Sequence, residues 1–247
     1  MQINTEGLII MEKSVGENDR LVTVLTKSEG LIRAFVRGAK NIKNKNSVST
    51  QLLCYSRLSI YQGREKYIID EASTIEVFFA LRYDIEKLAL AQYFCELTLA
   101  LAPENHQAGD FLRLILNSLY YLSNNKKNDR IIKAVFEMRM MALAGYMPDL
   151  VCCCNCAKFE SDQMYFIPEE GKIKCDDCYK GESRYAISLN MGALTALRHS
   201  IYAEFNKIFA FDLSGKSLDQ FSVSAEKYIK LTLDRKFKTL DFYYNVR

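Results

Sequence analysis

Cys153 with Cys156, and Cys175 with Cys178, form two close pairs separated by eighteen residues. A C-x2-C-x18-C-x2-C spacing reads as a zinc site. A two-residue gap lets one tight turn aim two thiolates at a single point, and two such turns complete a closed S4 tetrahedron that suits Zn2+. Four protein ligands leave no open position for water or substrate, so the expected metal is structural, one Zn2+ per chain. Free thiols, or a crosslink between the turns, is the simpler alternative. Cys152 and Cys154 crowd the first turn, and either could replace a ligand, but only Cys153 and Cys156 there have the required gap. Cys54 and Cys95 lie in apolar runs and read as buried free thiols.

A second set of residues points to polyanions. Residues 31–68 hold Arg33, Arg37, Lys40, Lys43, Lys45, Arg57, Arg64 and Lys66 against the single acid Glu65, so the stretch carries +7 of a chain whose net charge is +3, and the remainder carries −4. A basic island on an otherwise acidic chain suggests a local polyanion site; a solvated Lys-Asn loop is the plainer reading. Alternation along two expected strands adds rings to the charges. Ile32, Ala34 and Val36 share one face and Arg33, Phe35 and Arg37 the other. Further on, Cys54, Ser56, Leu58 and Ile60 oppose Tyr55, Arg57 and Tyr61. Guanidinium groups interleaved with rings suit single-stranded nucleic acid, because cations track phosphates while rings stack on bases at about 1–3 kcal/mol each. The competing account packs Phe35 and the tyrosines against a neighbouring domain. The run Gly38–Ser47, with three lysines and three asparagines, is expected to be a mobile loop that closes over a phosphate backbone.

The elements that must carry these residues follow from turn signals and periodicity. Short strands are expected at Thr5–Met11, Arg20–Lys27, Leu31–Arg37, Gln51–Tyr61 and Lys66–Thr74, with turns at Gly16–Asp19, Ser28–Gly30 and Gln62–Arg64. Five strands in about 70 residues match the strand count of an OB-fold barrel. From Leu81 the pattern turns helical. One helix is apolar on more than one side and ends at Pro103. A second runs near Ala108–Ser123, and a third starts with Asp129 as N-cap and stops at Gly145 before Pro148. Met164–Phe166 and Gly171–Lys174 read as a hairpin between the cysteine pairs. That module has too few apolar residues to fold alone, and metal binding can supply on the order of 10 kcal/mol. Helices return from residue 188, with Ser217 and Gln220 as a capping box for the last long one. Arg235, Lys236 and Lys238 form a smaller basic patch, which the dipole of a helix C-terminus also explains. The expectation is an α+β multidomain chain: an OB-fold barrel over 1–80 that binds nucleic acid, then a helical domain over 81–247 with a zinc insert at about 149–180.

The chain lacks G-x-x-x-x-G-K-[ST] and G-x-G-x-x-G, and its two histidines, His106 and His199, lie in no metalloprotease or nucleophile signature. Its carboxylates are scattered. The missing motifs favour a binder over an enzyme, with no catalytic residue expected. No run of eighteen apolar residues exists, so no membrane-spanning helix is expected. The first residues lack the segments of a signal peptide. Eight cysteines without one fit a reducing cytoplasm.

Several motifs in order are similar to a known family. Gly16-Glu17-x-Asp19, Leu25-Thr26, Gly30 and Arg37-Gly38-Ala39 resemble the N-terminal domain of the RecO family. Gly145-Tyr146-x-Pro148-x-Leu150 running into Cys153-x-x-Cys156 and Cys175-x-x-Cys178 continues the likeness. So does the closing Arg235–Leu240, with Thr239 where serine is common. Ala157 follows Cys156 where the family usually has glycine, and Cys152 and Cys154 are additional. The resemblance implies an OB-fold, a helical domain and a zinc module. It also implies a recombination mediator that binds single- and double-stranded DNA, anneals complementary strands, and works with RecR and the single-strand-binding protein to help RecA load. A cytoplasmic, nucleoid-associated location follows. The competing readings are a zinc-ribbon RNA-binding factor and a non-catalytic adaptor that grips an acidic peptide tail.

Overall fold

Inward-facing aliphatic residues on five strands roll the first part of the chain into a closed barrel. In this computed structural model, which describes every residue except Ile42, Arg64 and Glu65, the strands are β1 (Gln2–Val15), β2 (Asp19–Thr26), β3 (Gly30–Val36), β4 (Cys54–Gln62) and β5 (Tyr67–Val77). They close in the order β1-β2-β3-β5-β4, with β4 returning to β1. All pairs are antiparallel except β3 with β5. This five-stranded closed topology is that of the OB-fold. Each strand lies where alternation and turn signals place it, although β1 is longer at both ends than its apolar centre suggests.

The barrel core is Ile9, Val22, Val24, Ile32, Ala34, Val36, Cys54, Leu58, Ile60 and Ile69. Each alternates with an outward neighbour, so burying one face fixes the register of the other. Arg33, Arg37, Arg57 and Tyr61 therefore point outward and are exposed, and Phe35 and Tyr55 are half-buried. The β2–β3 turn depends on Gly30. Its φ is +66°, and a Cβ there would come 2.1 Å from the carbonyl oxygen of Pro103. That oxygen instead accepts from the N–H of Leu31 at 2.9 Å.

The chain forms two compact units: residues 1–123 with 238–247, and residues 124–237. The first holds the barrel, a short helix α1 (Asn46–Ser49), a 3-10 turn (Phe79–Tyr83), and helices α2 (Ile85–Leu101), α3 (Gly109–Ser123) and, beyond the second unit, α7 (Lys238–Val246). Asp84 caps α2 by accepting from the N–H of Lys87 at 3.1 Å. Near the other end of the same helix Glu96 accepts from the N–H of Thr239 at 3.1 Å, which ties α7 to α2.

The second unit holds α4 (Asp129–Leu143), β6 (Asp149–Cys153), β7 (Met164–Ile167), β8 (Lys172–Cys175), β9 (Ile187–Leu189), α5 (Met191–Tyr202) and α6 (Gly215–Leu233). Its strands form a sheet in the order β6-β8-β7-β9, and the β7–β8 pair is the expected hairpin. Two capping assignments need correction. Asn128, one residue before Asp129, caps α4 by accepting from the N–H of Arg130 at 2.9 Å. Helix α6 starts at Gly215, two residues before Ser217, with Ser214 at its N-cap. Ser217 and Gln220 instead bind Asn190, the N-cap of α5: its backbone N–H donates to Gln220 at 3.1 Å and its side-chain amide to Ser217 at 2.9 Å. Inside this unit Lys133 is buried between two carboxylates, Glu137 at 2.8 Å and Glu226 at 2.9 Å. Unpaired, such a charge could not stay in the core.

Candidate nucleic-acid interface and metal centre

Hydrogen bonds fold the loop after β3 back on itself. The side-chain amide of Asn44 donates to the carbonyl of Arg37 at 2.7 Å, and the N–H of Gly38 donates to Asp19 at 2.8 Å. Lys40 points its ammonium at the carbonyl of Gly16, 2.9 Å away. The decisive residue is Asn46, buried at the start of α1. Its amide donates to the carbonyl of Asp70 and accepts from the N–H of Ala72, both at 3.0 Å. A buried amide satisfied on both sides holds the loop to β5. Among its described residues, the stretch expected to be mobile is thus a series of bonded turns. Its end places Lys45 on the outer wall of the barrel.

Lys45 stands between two grooves. The narrower, about 480 Å3, is lined by Arg37, Asn44, Lys45, Tyr61, Ile68 and Asp70 among others. Ile68 pairs with Phe35 on β3 and with Tyr61 on β4, so ring, aliphatic chain and ring run side by side across three strands. The ammonium of Lys66 lies 5.9 Å from the centre of the Phe35 ring, a cation–π contact. The wider groove, about 860 Å3, is lined by Lys27, Lys45 and Arg57 with Glu6, Glu71 and small polar residues.

The expected interface residues thus separate into sets. Arg37, Lys45 and Tyr61 converge on the narrower groove, and Lys45 and Arg57 on the wider one. Phe35 flanks the narrower groove through Ile68, and Lys66 lies over the Phe35 ring. Arg33, Lys40 and Lys43 are exposed but line neither groove. Tyr55 is engaged elsewhere: its phenol donates to Glu6 at 2.7 Å. Burial, and then that bond, push its pKa up to about 12. Arg64 lies outside the described residues.

Sequence reasoning missed Lys27, which precedes the basic window, and the acids Glu6 and Glu71, which flank it. Glu6 pairs with Arg57 at 3.6 Å, and Lys45 donates to Glu71. The hydrogen bond and charge of Lys45 hold the Glu71 carboxyl below its usual range. The +7 of the window is therefore partly neutralised in the fold by carboxylates from β1 and β5. Their cross-strand positions carry this signal, since Glu6 is in register with Arg57 and Glu71 with Ser59. Among the described residues, Lys27, Arg33, Arg37 and Lys43 have no carboxylate partner.

In the second unit the end of β6 and the end of β8 bring Cys153, Cys156, Cys175 and Cys178 together, with all four sulfurs within 4.8 Å of one another. Backbone bonds close both turns: Ala157 N–H to Cys153 carbonyl at 2.9 Å, and Cys178 N–H to Cys175 carbonyl at 3.1 Å. Cys152 and Cys154 lie outside the cluster. Zn–S bonds of about 2.3 Å in a tetrahedron put sulfurs about 3.8 Å apart. Cys156 and Cys175 are 3.6 Å apart, so donor set and spacing fit a closed metal site. The thiols favour a cation electrostatically. Burial works against a thiolate at Cys153, yet N–H groups of Cys175, Cys156 and Asn155 outweigh it and bring its pKa to about 6. Bonds shared with Cys156 and Cys175, with burial added, drive Cys178 up to about 12. Cys153 thus ionises most readily, while Cys175 and Cys178 hold their protons more tightly than a free thiol. A central cation would let all four ionise.

Two comparisons with known proteins agree with this picture. The family model described as recombination protein O N terminal matches residues 1–78, and the one described as recombination protein O C terminal matches residues 82–241. The chain is 32% identical to a DNA repair protein RecO of Acetivibrio thermocellus over 240 residues, covering 97% of this chain and 95% of that one. It is 30% identical to one of Dehalococcoides mccartyi (96% and 92% covered) and 27% identical to one of Symbiobacterium thermophilum (97% and 95%).

Proposed function

The chain belongs to the RecO family of DNA repair proteins, and from that premise we propose that it is a recombination mediator acting by binding alone. In this reading the outer face of the barrel holds single- and double-stranded DNA and brings complementary strands together. With RecR the protein then helps RecA load onto DNA coated by single-strand-binding protein. It works in the cytoplasm at the nucleoid; no helix of the described residues is long and apolar enough to cross a membrane.

The observation that carries the reading is the convergence of Arg37, Lys45 and Tyr61 on one groove, with Phe35 two strands from Tyr61. The cations neutralise phosphates, and the rings offer stacking faces to unpaired bases. Charge neutralisation on two strands lowers their mutual repulsion, so annealing needs no ATP. Arg33, Lys40, Lys43 and Lys66 extend the field around the groove, and Tyr55 holds Glu6 on the barrel wall. Zn2+, held by Cys153, Cys156, Cys175 and Cys178, would crosslink the β6–β9 module and take no part in chemistry.

Reversing Arg37, Lys43 and Arg57 to glutamate together is expected to abolish annealing while leaving the fold intact by circular dichroism. Unchanged DNA affinity in that variant would remove the barrel face as the site. Competition by RNA of the same length, or binding of an acidic peptide alone, would favour the RNA-binding or adaptor reading instead.

A further inference from the structure

We propose that the wider groove is a second polyanion site, which takes the sugar–phosphate backbone of a second strand while the narrower groove holds the bases of the first. This rests on the DNA-binding reading above and divides its site in two. The linings differ in chemistry. Among the described residues no aromatic ring lines the wider groove; its walls are Lys27, Lys45 and Arg57, the last two paired with Glu71 and Glu6 of the same groove, with small side chains such as Thr5, Ser28 and Ser73. Cations in a groove without rings recognise phosphate and sugar and carry no base information. The narrower groove has Tyr61, with Phe35 beside it through Ile68. Stacking rings recognise unpaired bases.

Lys45 lines both grooves, so two strands held there approach each other across one cation. Its position is fixed from below by the buried Asn46 amide. Lys27 belongs to the wider groove alone, is exposed, and has no carboxylate partner among the described residues.

The test uses the full-length protein with a labelled oligo-dT strand, a labelled duplex, and a fluorescence annealing assay. Lys27→Glu is expected to leave oligo-dT affinity within about twofold. It should lower duplex affinity and annealing rate about tenfold. Lys27→Gln should give the same pattern at smaller size, with the native fold checked by circular dichroism. Tyr61→Ala is expected to lower oligo-dT affinity about tenfold. If Lys27→Glu weakens oligo-dT binding as much as Tyr61→Ala does, the grooves are one site and the inference is overturned. It is equally overturned if Lys27→Glu changes neither duplex binding nor annealing while the wild type does both. A wild-type protein that binds neither DNA removes the parent reading, a result distinct from these.

Discussion

Glu6 on β1 faces Arg57 on β4 across the barrel ladder, carboxylate to guanidinium 3.6 Å apart. The pair lies in the wider groove, and the Lys45–Glu71 pair sits beside it. Two of the three cations in that groove are thus held by carboxylates that a phosphate must displace. Exposed pairs of this kind are weak, so they tune binding without preventing it.

Neutralising either carboxylate should therefore tighten duplex binding. Glu6→Gln and Glu71→Gln are each expected to raise duplex affinity about two- to fivefold at low salt. The plot of log affinity against log salt should also steepen, because no carboxylate takes up a counterion when the cation is engaged. Anisotropy titrations between 50 and about 300 mM salt read both quantities. Glu104→Gln, an exposed acid in neither groove, is the control that should move neither.

Metal content separates the cysteines. Elemental analysis is expected to find about one zinc per chain in the wild type and in Cys152→Ser and Cys154→Ser, and a loss of zinc in Cys153→Ser and Cys175→Ser. Chelation should loosen the β6–β9 module and leave the barrel, which lies in the other compact unit, with its protease resistance unchanged.

Ala157 offers a stabilising change. Its φ is +60°, a left-handed conformation that costs a residue with a Cβ about 1 kcal/mol or more. Ala157→Gly is expected to raise the thermal midpoint of the second unit by a few degrees. Scanning calorimetry of the metal-loaded protein checks it.

Tyr55 sets an alkaline limit on the barrel. Burial and the bond to Glu6 keep its phenol protonated to about pH 12 in the folded state, whereas an unfolded tyrosine ionises near its ordinary value of 10. A raised folded pKa means that its contribution is fully present below pH 10 and is lost as pH rises toward 12. Urea unfolding of wild type and Tyr55→Phe at pH 9, 10 and 11 should therefore show the difference in stability shrinking with pH.

Much of this was legible in the sequence, for a physical reason. Ile32, Ala34 and Val36 against Arg33, Phe35 and Arg37 report a period of two, and a closed barrel has only one inside. The thiol spacing is equally local, and the structure brings together the four cysteines that the spacing selects. What stayed hidden depends on residues far apart in the chain. Glu6 and Glu71 reach Arg57 and Lys45 only through strand pairing, so a charge count over 31–68 overstated the field. Lys27 joins the wider groove for the same reason. Ser217 and Gln220 have the capping-box spacing, but Asn190, twenty-seven residues before Ser217, takes both side chains. Nothing local in Lys238–Val246 announces that it packs with α2.

The most direct test of the central claim is the rate at which the full-length protein anneals two complementary oligonucleotides, without ATP, across a salt series. The account predicts annealing well above the protein-free rate at low salt. That rate should fall steeply as salt rises, with a slope reporting several released counterions, and Arg37, Lys43 and Arg57 reversed to glutamate should abolish it. Annealing no faster than without protein, or a rate indifferent to salt and to that triple reversal, would contradict it.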